Sequence, residues 1–258
     1  MGEALARQIP ARVEAVSLLH SSAVPESELD GQKARLLEPA LDAHWSAGGG
    51  DVILLPLFFG PSAALTEYVP ARLATLKTRW PEGRARLARP LVDPAAVDDR
   101  RLAAALADAV RAVVRRERLD RPAVVLVDHG TPQPAVTAVR EFLGGQLRRE
   151  LHAEAAAVGT ASMERREGEA YAFNEPLLAR ALRTPPFSTG DVVVALQFLS
   201  PGRHAGPGGD IATICEEARA ESPALRTHMT EPLGAHPAVV EVLAERYREA
   251  LRPDSSAR

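Results

Sequence analysis

The stretch Ala123-Val-Val-Leu-Val-Asp-His-Gly-Thr131 decides the fold of this chain of 258 residues, because an unbroken apolar run ends there on a polar turn. An apolar run without polar alternation is typical of a parallel strand that is buried on both faces. Similar runs alternate with amphipathic helical stretches, which predicts an α/β fold with parallel sheets flanked by helices. The predicted strands are 13–19, 52–57, 85–88, 123–128, 155–162, 192–198 and 225–230, and the predicted helices are 32–45, 97–118, 134–151, 211–220 and 237–251.

The composition excludes several classes of protein. The chain has 31 Lys and Arg against 34 Asp and Glu, a formal charge of −3, which argues against a nucleic-acid binder. Cys215 is the only cysteine, so an internal disulfide, a Cys-ligated zinc finger and a four-Cys iron–sulfur cluster are excluded. No stretch reaches the roughly 18 apolar residues of a membrane span, and residues 1–16 lack the apolar core of a secretory signal. We therefore expect a cytoplasmic protein without membrane or nucleic-acid partners.

Three short blocks occur twice in the same order, which indicates an internal duplication. Residues 18–22 (LLHSS), 51–61 (DVILLPLFFGP) and 90–97 (PLVDPAAV) recur as 127–131 (VDHGT), 191–201 (DVVVALQFLSP) and 232–239 (PLGAHPAV). The offset between the copies is 109 residues for the first block, 140 for the second and 142 for the third. We predict two pseudo-symmetric half-domains, 1–119 and 120–258, with a cleft between them. The first half is expected to lack a counterpart of the strand 155–162.

Histidines stand where ligands usually bind in such folds. His20 and His129 each follow the first strand of a half, at the carboxyl edge of an open α/β sheet. Alignment of the second blocks places Ala64 opposite His204, so the second half has two such histidines and the first has one. His204 lies in the Gly- and Pro-rich loop 200–210, and loops of this kind often carry function. The residues alone leave open a capping role for His129 and a merely flexible turn around His204.

A carboxylate is predicted at the same sheet edge. Glu164 directly follows the strand 155–162, whereas Glu175 precedes Pro176 at a helix start, where a carboxylate is commonly a cap. Glu175 is therefore the competitor for this role. The remaining histidines are expected to be structural or on the surface, and Cys215 to be a buried structural thiol.

These motifs together resemble those of the class II tetrapyrrole chelatases, in particular the CbiX-type sirohydrochlorin cobaltochelatases and their ferrochelatase relatives. The resemblance rests on His-Gly after the strand 123–128, on Phe-Leu-x-Pro-Gly-x-His at 198–204 and on Pro-Leu-Gly-x-His-Pro at 232–237. It is clear over 124–251 and partial over 13–112. The sequence departs from the family pattern at Asp128, in the loop after His204, and in about ten residues, 165–174, before Glu175.

The resemblance implies insertion of a divalent metal, cobalt ahead of iron, into sirohydrochlorin or a related tetrapyrrole, in cobalamin or siroheme biosynthesis. It implies that His129, His204 and Glu164 bind the metal and carry the catalysis. Arg203 and Arg165 are expected to meet the carboxylates of the substrate, with solvated surface arginines as the plain alternative. The second half would then hold the site, and the first would be a degenerate scaffold.

The chemistry suits these residue types. Imidazole is a good ligand for iron and cobalt, and Glu and His can both accept a pyrrole proton near neutral pH. The metal would be a substrate, with no permanently bound cofactor, and the protein a monomer or homodimer. Two alternatives stay open: a chelatase-like carrier of metal or tetrapyrrole without turnover, and an unrelated metal hydrolase, in which the duplicated blocks would have no reason to occur.

Overall fold

The computed structural model describes residues 1–18 and 34–252 and confirms an α/β fold with parallel sheets flanked by helices. The strands are β1 Val52–Leu54, β2 Ala85–Leu87, β3 Ala123–Asp128, β4 Ala157–Ser162, β5 Gly190–Leu196 and β6 Leu225–Met229. The α-helices are α1 Gly2–Ala6, α2 Leu37–Ser46, α3 Val69–Arg79, α4 Arg101–Glu117, α5 Pro134–Glu150, α6 Leu178–Ala181, α7 Asp210–Glu221 and α8 Pro237–Leu251. A π-helical turn, Ala64–Tyr68, precedes α3, and Glu169–Asn174 and Leu233–Ala235 are 3-10 turns.

One predicted strand is wrong. Residues 13–18 form only an isolated bridge, because the chain pairs there through Ser17 alone: Ser17 N donates to Arg35 O at 2.8 Å, and Leu37 N donates to Ser17 O at 2.9 Å. Residue 19 of that prediction, and His20 with it, lie outside the described residues. The other six strands occur within a few residues of their predicted bounds, and the helix 69–79 was not predicted.

The chain divides into two compact units, Met1–Leu91 with Val240–Arg258, and Val92–Val239. The first unit contains β1 and β2, and the second contains β3 to β6. The division at 119/120 rests on the sequence repeat and stays a prediction. In the described part of the chain, no helix has the length and apolarity needed to cross a membrane.

The second unit is built on a four-stranded parallel sheet in the order β4-β3-β5-β6. All six residues of β3 are buried, which is the physical reason for the unbroken apolar run. Val125, Val127 and their neighbours on β5 share one core with α6 and α7, while α4 and α5 pack against the sheet as well. Because successive side chains of a strand point to opposite faces, helices cover both faces and leave the carboxyl edge open for loops.

The first unit contains the two-stranded parallel sheet β1–β2. Its core combines apolar residues of α2 and α3, such as Leu41, Trp45 and Leu76, with the partly buried side chains of both strands. Trp80 Nε1 donates to the Asp42 carboxylate at 2.8 Å, which ties the end of α3 to α2.

The offsets of the sequence repeat relate the pairing registers of the two sheets to each other. Val52 pairs with Ala85, and the offsets of 140 and 142 residues convert this pair into Val192 and Thr227, which are also partners. The backbone hydrogen bonds that follow the strands in the two sheets are related by the same offsets. They are Ala88 N to Leu54 O (2.9 Å) and Thr230 N to Val194 O (3.1 Å), then Leu91 N to Phe58 O (2.9 Å) and Leu233 N to Phe198 O (2.8 Å). The duplicated blocks therefore form the same backbone frame in the two units.

Candidate active site at the carboxyl ends of β3, β4 and β5

Three of the predicted site residues meet at the carboxyl edge of the four-stranded sheet. The rings of His129 and His204 stand edge to face, with centroids 4.6 Å apart and an interplanar angle of 76°. Glu164 Oε1 lies 3.5 Å from His129 Nε2. All three side chains are partly or largely exposed, so a solute can reach them.

The backbone ladder between β3 and β4 explains why His129 and Glu164 meet. The parallel pairing continues past the strands, with Met163 N donating to Asp128 O at 2.7 Å and Glu164 N to His129 O at 3.1 Å. Gly130, at φ 93°, lies so close to this edge that a Cβ atom would stand 1.9 Å from Glu164 O. Only glycine tolerates both the positive φ and this approach, so the His-Gly pair is a backbone requirement of the site.

His204 is held by the loop that leads into α7. Its Nδ1 lies 2.5 Å from Asp210 Oδ2, and Asp210 N and Ile211 N donate to the carbonyls of Arg203 and His204 at 3.1 Å each. Asp210 is the first residue of α7, where the helix dipole favours a carboxylate. A carboxylate accepts the Nδ1 proton, which leaves the Nε2 lone pair of His204 available to a metal.

His129 is oriented in the same sense by the backbone. Its Nδ1 lies 3.1 Å from Gly130 O, and because a carbonyl can only accept, Nδ1 is the protonated nitrogen in this bond. In both imidazoles Nδ1 is therefore hydrogen-bonded to the protein, and the Nε2 lone pair is left for a ligand. Histidines in metal sites adopt this arrangement.

A buried polar network lies beneath His129. Arg140 of α5 is 1% exposed and donates to Asp128 at 3.4 Å, to Ser162 Oγ, and to Asn174 O at 3.1 Å, while Ser162 Oγ donates to Asp128 Oδ1 at 2.7 Å. Burial raises the pKa of Asp128, although the charge of Arg140 and the hydrogen bonds from Ser162, Arg140 and Gly130 act against the shift. The network joins the ends of β3 and β4 to α5 and to the 3-10 turn 169–174.

The other candidate residues lie apart from the histidine pair or are engaged elsewhere. Glu175 accepts from Arg165 Nε at 2.9 Å and from Leu177 N at 3.0 Å, just before α6, so its carboxylate is engaged by its own segment. Arg165 also donates to Gly168 O at 2.9 Å. Arg203 lies 3.9 Å from Asp210 and its side chain is 85% exposed.

The remaining titratable side chains singled out in the sequence have structural partners. His228 Nε2 lies 3.0 Å from Asp191 Oδ1, and Arg226 also binds this carboxylate, which lowers the pKa of Asp191 to about 2. Burial raises the pKa of Cys215 to about 11, so its thiol stays protonated and unreactive.

Three residues of the site were missed from the sequence: Asp210, Arg140 and Asn174. Asp210 could have been predicted from the sequence, since an acidic residue at a helix start six positions after a loop histidine can reach back to the imidazole. Arg140 interrupts the apolar face of α5 near Val139 and Leu143, and a charge on a buried face needs a partner such as Asp128. Asn174 lies 43 residues from Thr131, its backbone partner, and no local pattern links the two.

In the described residues, no three His, Cys, Asp or Glu side chains are arranged closely enough to enclose a metal ion. His129, His204 and Glu164 are close to one another but do not meet that condition. In this respect they differ from a closed structural metal site, in which four ligands surround the ion.

Comparison with known structures identifies the fold as that of the chelatases. The chain is similar to "SirB from Bacillus subtilis with Fe3+" (17% identity, 96% of this chain and 86% of that chain covered, TM-score 0.65). It is equally similar to the sirohydrochlorin chelatase SirB from Bacillus subtilis subspecies spizizenii in complex with cobalt (17%, 96% and 85%, TM-score 0.66). A third match is CbiX, described as the terminal enzyme for biosynthesis of siroheme in denitrifying bacteria (19%, 97% and 89%, TM-score 0.60).

The sequence comparison agrees with the structural one. Residues 123–250, just under half of the chain, match the family model described as CbiX. The matched range contains β3 to β6 and all the residues of the candidate site. A search of curated proteins found no match to the chain.

Proposed function

We propose that this protein inserts a divalent metal into sirohydrochlorin or a closely related tetrapyrrole at His129, His204 and Glu164. The observation that carries the proposal is the pair of imidazoles with ring centroids 4.6 Å apart, each with Nδ1 bound to the protein. Two Nε2 lone pairs at one open sheet edge suit a metal ion that must enter and leave. Cobalt is placed ahead of iron on the resemblance to the cobaltochelatases alone, since imidazole binds both ions well and proteins of similar fold were crystallised with each.

The reaction releases two protons. A divalent ion replaces two pyrrole N–H protons of the macrocycle, so the protein must strip water from the ion and provide a path for both protons. The two imidazoles replace water in the coordination shell of the entering ion. Glu164 accepts a pyrrole proton, and His129 Nε2, 3.5 Å from the Glu164 carboxylate, is near enough to share it when it is not bound to metal.

The acidic substrate requires positive charge at the rim of the site. Arg203 precedes His204 in the chain and its side chain is 85% exposed, so its guanidinium can bind a substrate carboxylate with little desolvation. Arg165 contributes less, because Glu175 and Gly168 O already occupy its donors. The proposal includes a cytoplasmic location and a place in cobalamin or siroheme biosynthesis, both inferred from the sequence.

The decisive experiment follows the visible absorbance of sirohydrochlorin with Co²⁺, and separately with Fe²⁺, in the presence and absence of the protein. We expect the spectrum to convert to that of the metal complex faster with protein than without. The comparison of initial rates for the two ions then decides the preferred metal. Tight binding of tetrapyrrole without any acceleration would overturn the proposal in favour of a carrier.

A further inference from the structure

One peptide unit connects the His129 ring to the buried network. The carbonyl of the Gly130–Thr131 peptide is Gly130 O, which lies 3.1 Å from His129 Nδ1, and its N–H donates to Asn174 Oδ1 at 3.0 Å. A peptide unit is planar and trans, so its carbonyl and N–H point in opposite directions and rotate together. Whatever holds the N–H therefore also aims the carbonyl at the imidazole.

Asn174 holds this peptide from a completely buried position. Its side chain is 0% exposed, and its Nδ2 donates to Thr131 O at 2.9 Å and to Tyr171 O at 3.1 Å. The amide thus binds both the N–H and the carbonyl of Thr131, as a neighbouring strand would. Arg140 secures Asn174 in turn by donating to its backbone carbonyl at 3.1 Å.

Asn174 is the last residue of the segment 165–174, which follows Glu164 and ends in the 3-10 turn Glu169–Asn174. Residues 166–170 of this segment are exposed, yet its last residue is buried beneath the turn that carries His129. The segment is therefore more than a surface excursion, since its carboxyl end is part of the support of the site.

We propose that Asn174 is a positioning residue for His129. By fixing the Gly130–Thr131 peptide, it keeps Gly130 O on the His129 Nδ1 proton, and this selects the tautomer whose Nε2 is free for the metal. The significance of that tautomer rests on the proposed function, but the control of the tautomer by Asn174 does not.

The test reads the tautomer directly. In protein with ¹⁵N-labelled histidine at about pH 8, above the ordinary His pKa of about 6.5, long-range ¹H–¹⁵N correlation spectra distinguish Nδ1–H from Nε2–H. We expect His129 to be an Nδ1–H tautomer in the native protein and a mixture of both tautomers in Asn174→Ala. Asn174→Leu removes the same hydrogen bonds without opening a cavity, so it replaces the alanine variant if that variant does not fold. Asn174→Asp retains the acceptor for Thr131 N–H and should retain the native tautomer.

Thr137→Val is the matched control. Thr137 is as buried as Asn174 and its Oγ1 donates to Asn174 Oδ1 at 3.4 Å, but it has no bond to the Gly130–Thr131 peptide. We expect this variant to lower the melting temperature while leaving the His129 tautomer unchanged. In a metallation assay, kcat should fall about 10- to 100-fold in Asn174→Ala, the range usual for outer-shell partners of a metal ligand, with KM for the tetrapyrrole little changed.

Two results would overturn the proposal: an unchanged Nδ1–H tautomer in the folded Asn174→Ala or Asn174→Leu protein, or an equal change in Thr137→Val. If even the native protein does not accelerate metallation, the proposed function fails, while the tautomer spectra still decide the role of Asn174.

Discussion

The parallel strand pairs β1–β2 and β5–β6 have equivalent pairing registers, but the chain that follows β1 differs from the chain that follows β5. After the block at 51–61 the chain enters helical conformation at once, at Ala64, whereas after the block at 191–201 it stays in a loop until α7 begins at Asp210. That loop presents His204 at the position where the first unit has Ala64, and it places Asp210 against the imidazole. A duplicated backbone frame therefore does not duplicate a site, because the loops that follow the strands decide the chemistry.

Two further differences distinguish the region around β1–β2 from the region around β5–β6. Gly234 approaches the Leu199 carbonyl so closely that a Cβ atom would be 1.7 Å from it, yet its counterpart by the 142-residue offset is Val92. Asp191 forms an ion pair with Arg226 at 2.6 Å, whereas no ion pair joins their counterparts Asp51 and Arg84, both of which are among the described residues. Each difference can be tested by substitution.

The largest effect is expected from His204→Ala, which makes the second copy resemble the first at this position. Loss of one of the two imidazoles should lower the rate of metal insertion by about 10³-fold or more, toward the uncatalysed rate. His204 is only partly buried, so the stability of the protein should change little. Absorbance assays with sirohydrochlorin and Co²⁺ measure the rate, and thermal denaturation checks the fold.

His152→Ala is the control, since His152 is exposed just after α5 and, among the described residues, its ring bonds to Arg149 O at 3.1 Å. It should leave the rate unchanged. An equally large loss in His20→Ala, a residue outside the described part of the chain, would contradict the asymmetry: either the catalytic half is misassigned, or both copies share one site.

Glu164→Gln tests the next difference, the strand 155–162 and the carboxylate after it, which are predicted to have no counterpart in the first half. The substitution keeps the size of the side chain and removes its charge, so the rate should fall by about 10²-fold if Glu164 accepts a proton. Binding of the tetrapyrrole, measured by fluorescence titration, should be retained. Glu167→Gln, an exposed carboxylate of the same segment, is expected to have no effect, whereas a larger loss in Glu175→Gln would transfer the role to Glu175.

Gly234→Ala tests the close approach that is specific to the second copy. The new methyl group would collide with Leu199 O, and the backbone shift should lower the free energy of unfolding by about 1–3 kcal/mol in urea denaturation. Gly145→Ala in α5 should act in the opposite direction by about 0.5–1 kcal/mol, because its Cβ atom would meet nothing within 4 Å and alanine favours the helix. Equal stability of the two variants would contradict the geometry of the 232–235 turn.

The smallest effect is expected from Asp191→Asn. Hydrogen bonds from Arg226 and His228 lower the pKa of Asp191 from 3.8 to about 2, so the carboxylate stabilises the fold above pH 3.8 and this contribution is lost as the pH falls toward 2. Arg226 is 62% exposed and solvent screens the pair, so Asp191 contributes less than about 1 kcal/mol at pH 7. Urea denaturation of both proteins at pH 7 and near pH 2 should show a difference that disappears in acid. Asp51→Asn, at the counterpart position, should show a smaller difference at pH 7.

Much of the fold could be predicted from the sequence because it depends on the local pattern of apolar and polar residues. The apolar run at 123–128 predicted β3 with its observed bounds, and the repeat offsets relate the observed pairs of β1 and β2 to those of β5 and β6. The strand predicted at 13–19 failed because apolar β-branched residues favour a strand only where a neighbouring strand offers a ladder. The grouping of His129, His204 and Glu164 was expected from their places after strands that the parallel sheet brings to one edge.

The sequence by itself determined the α/β class, the duplicated frame and the edge at which the candidate site lies, since apolar periodicity and repeat spacing depend on neighbours along the chain. Only the tertiary structure decided how the site residues are held: Asp210 on His204, Asn174 on the peptide after His129, and Arg140 beneath Asp128. The reason is physical. A polar side chain finds its partner through distance and direction in space, and for Asn174 that partner lies 43 residues away, where no periodicity connects them.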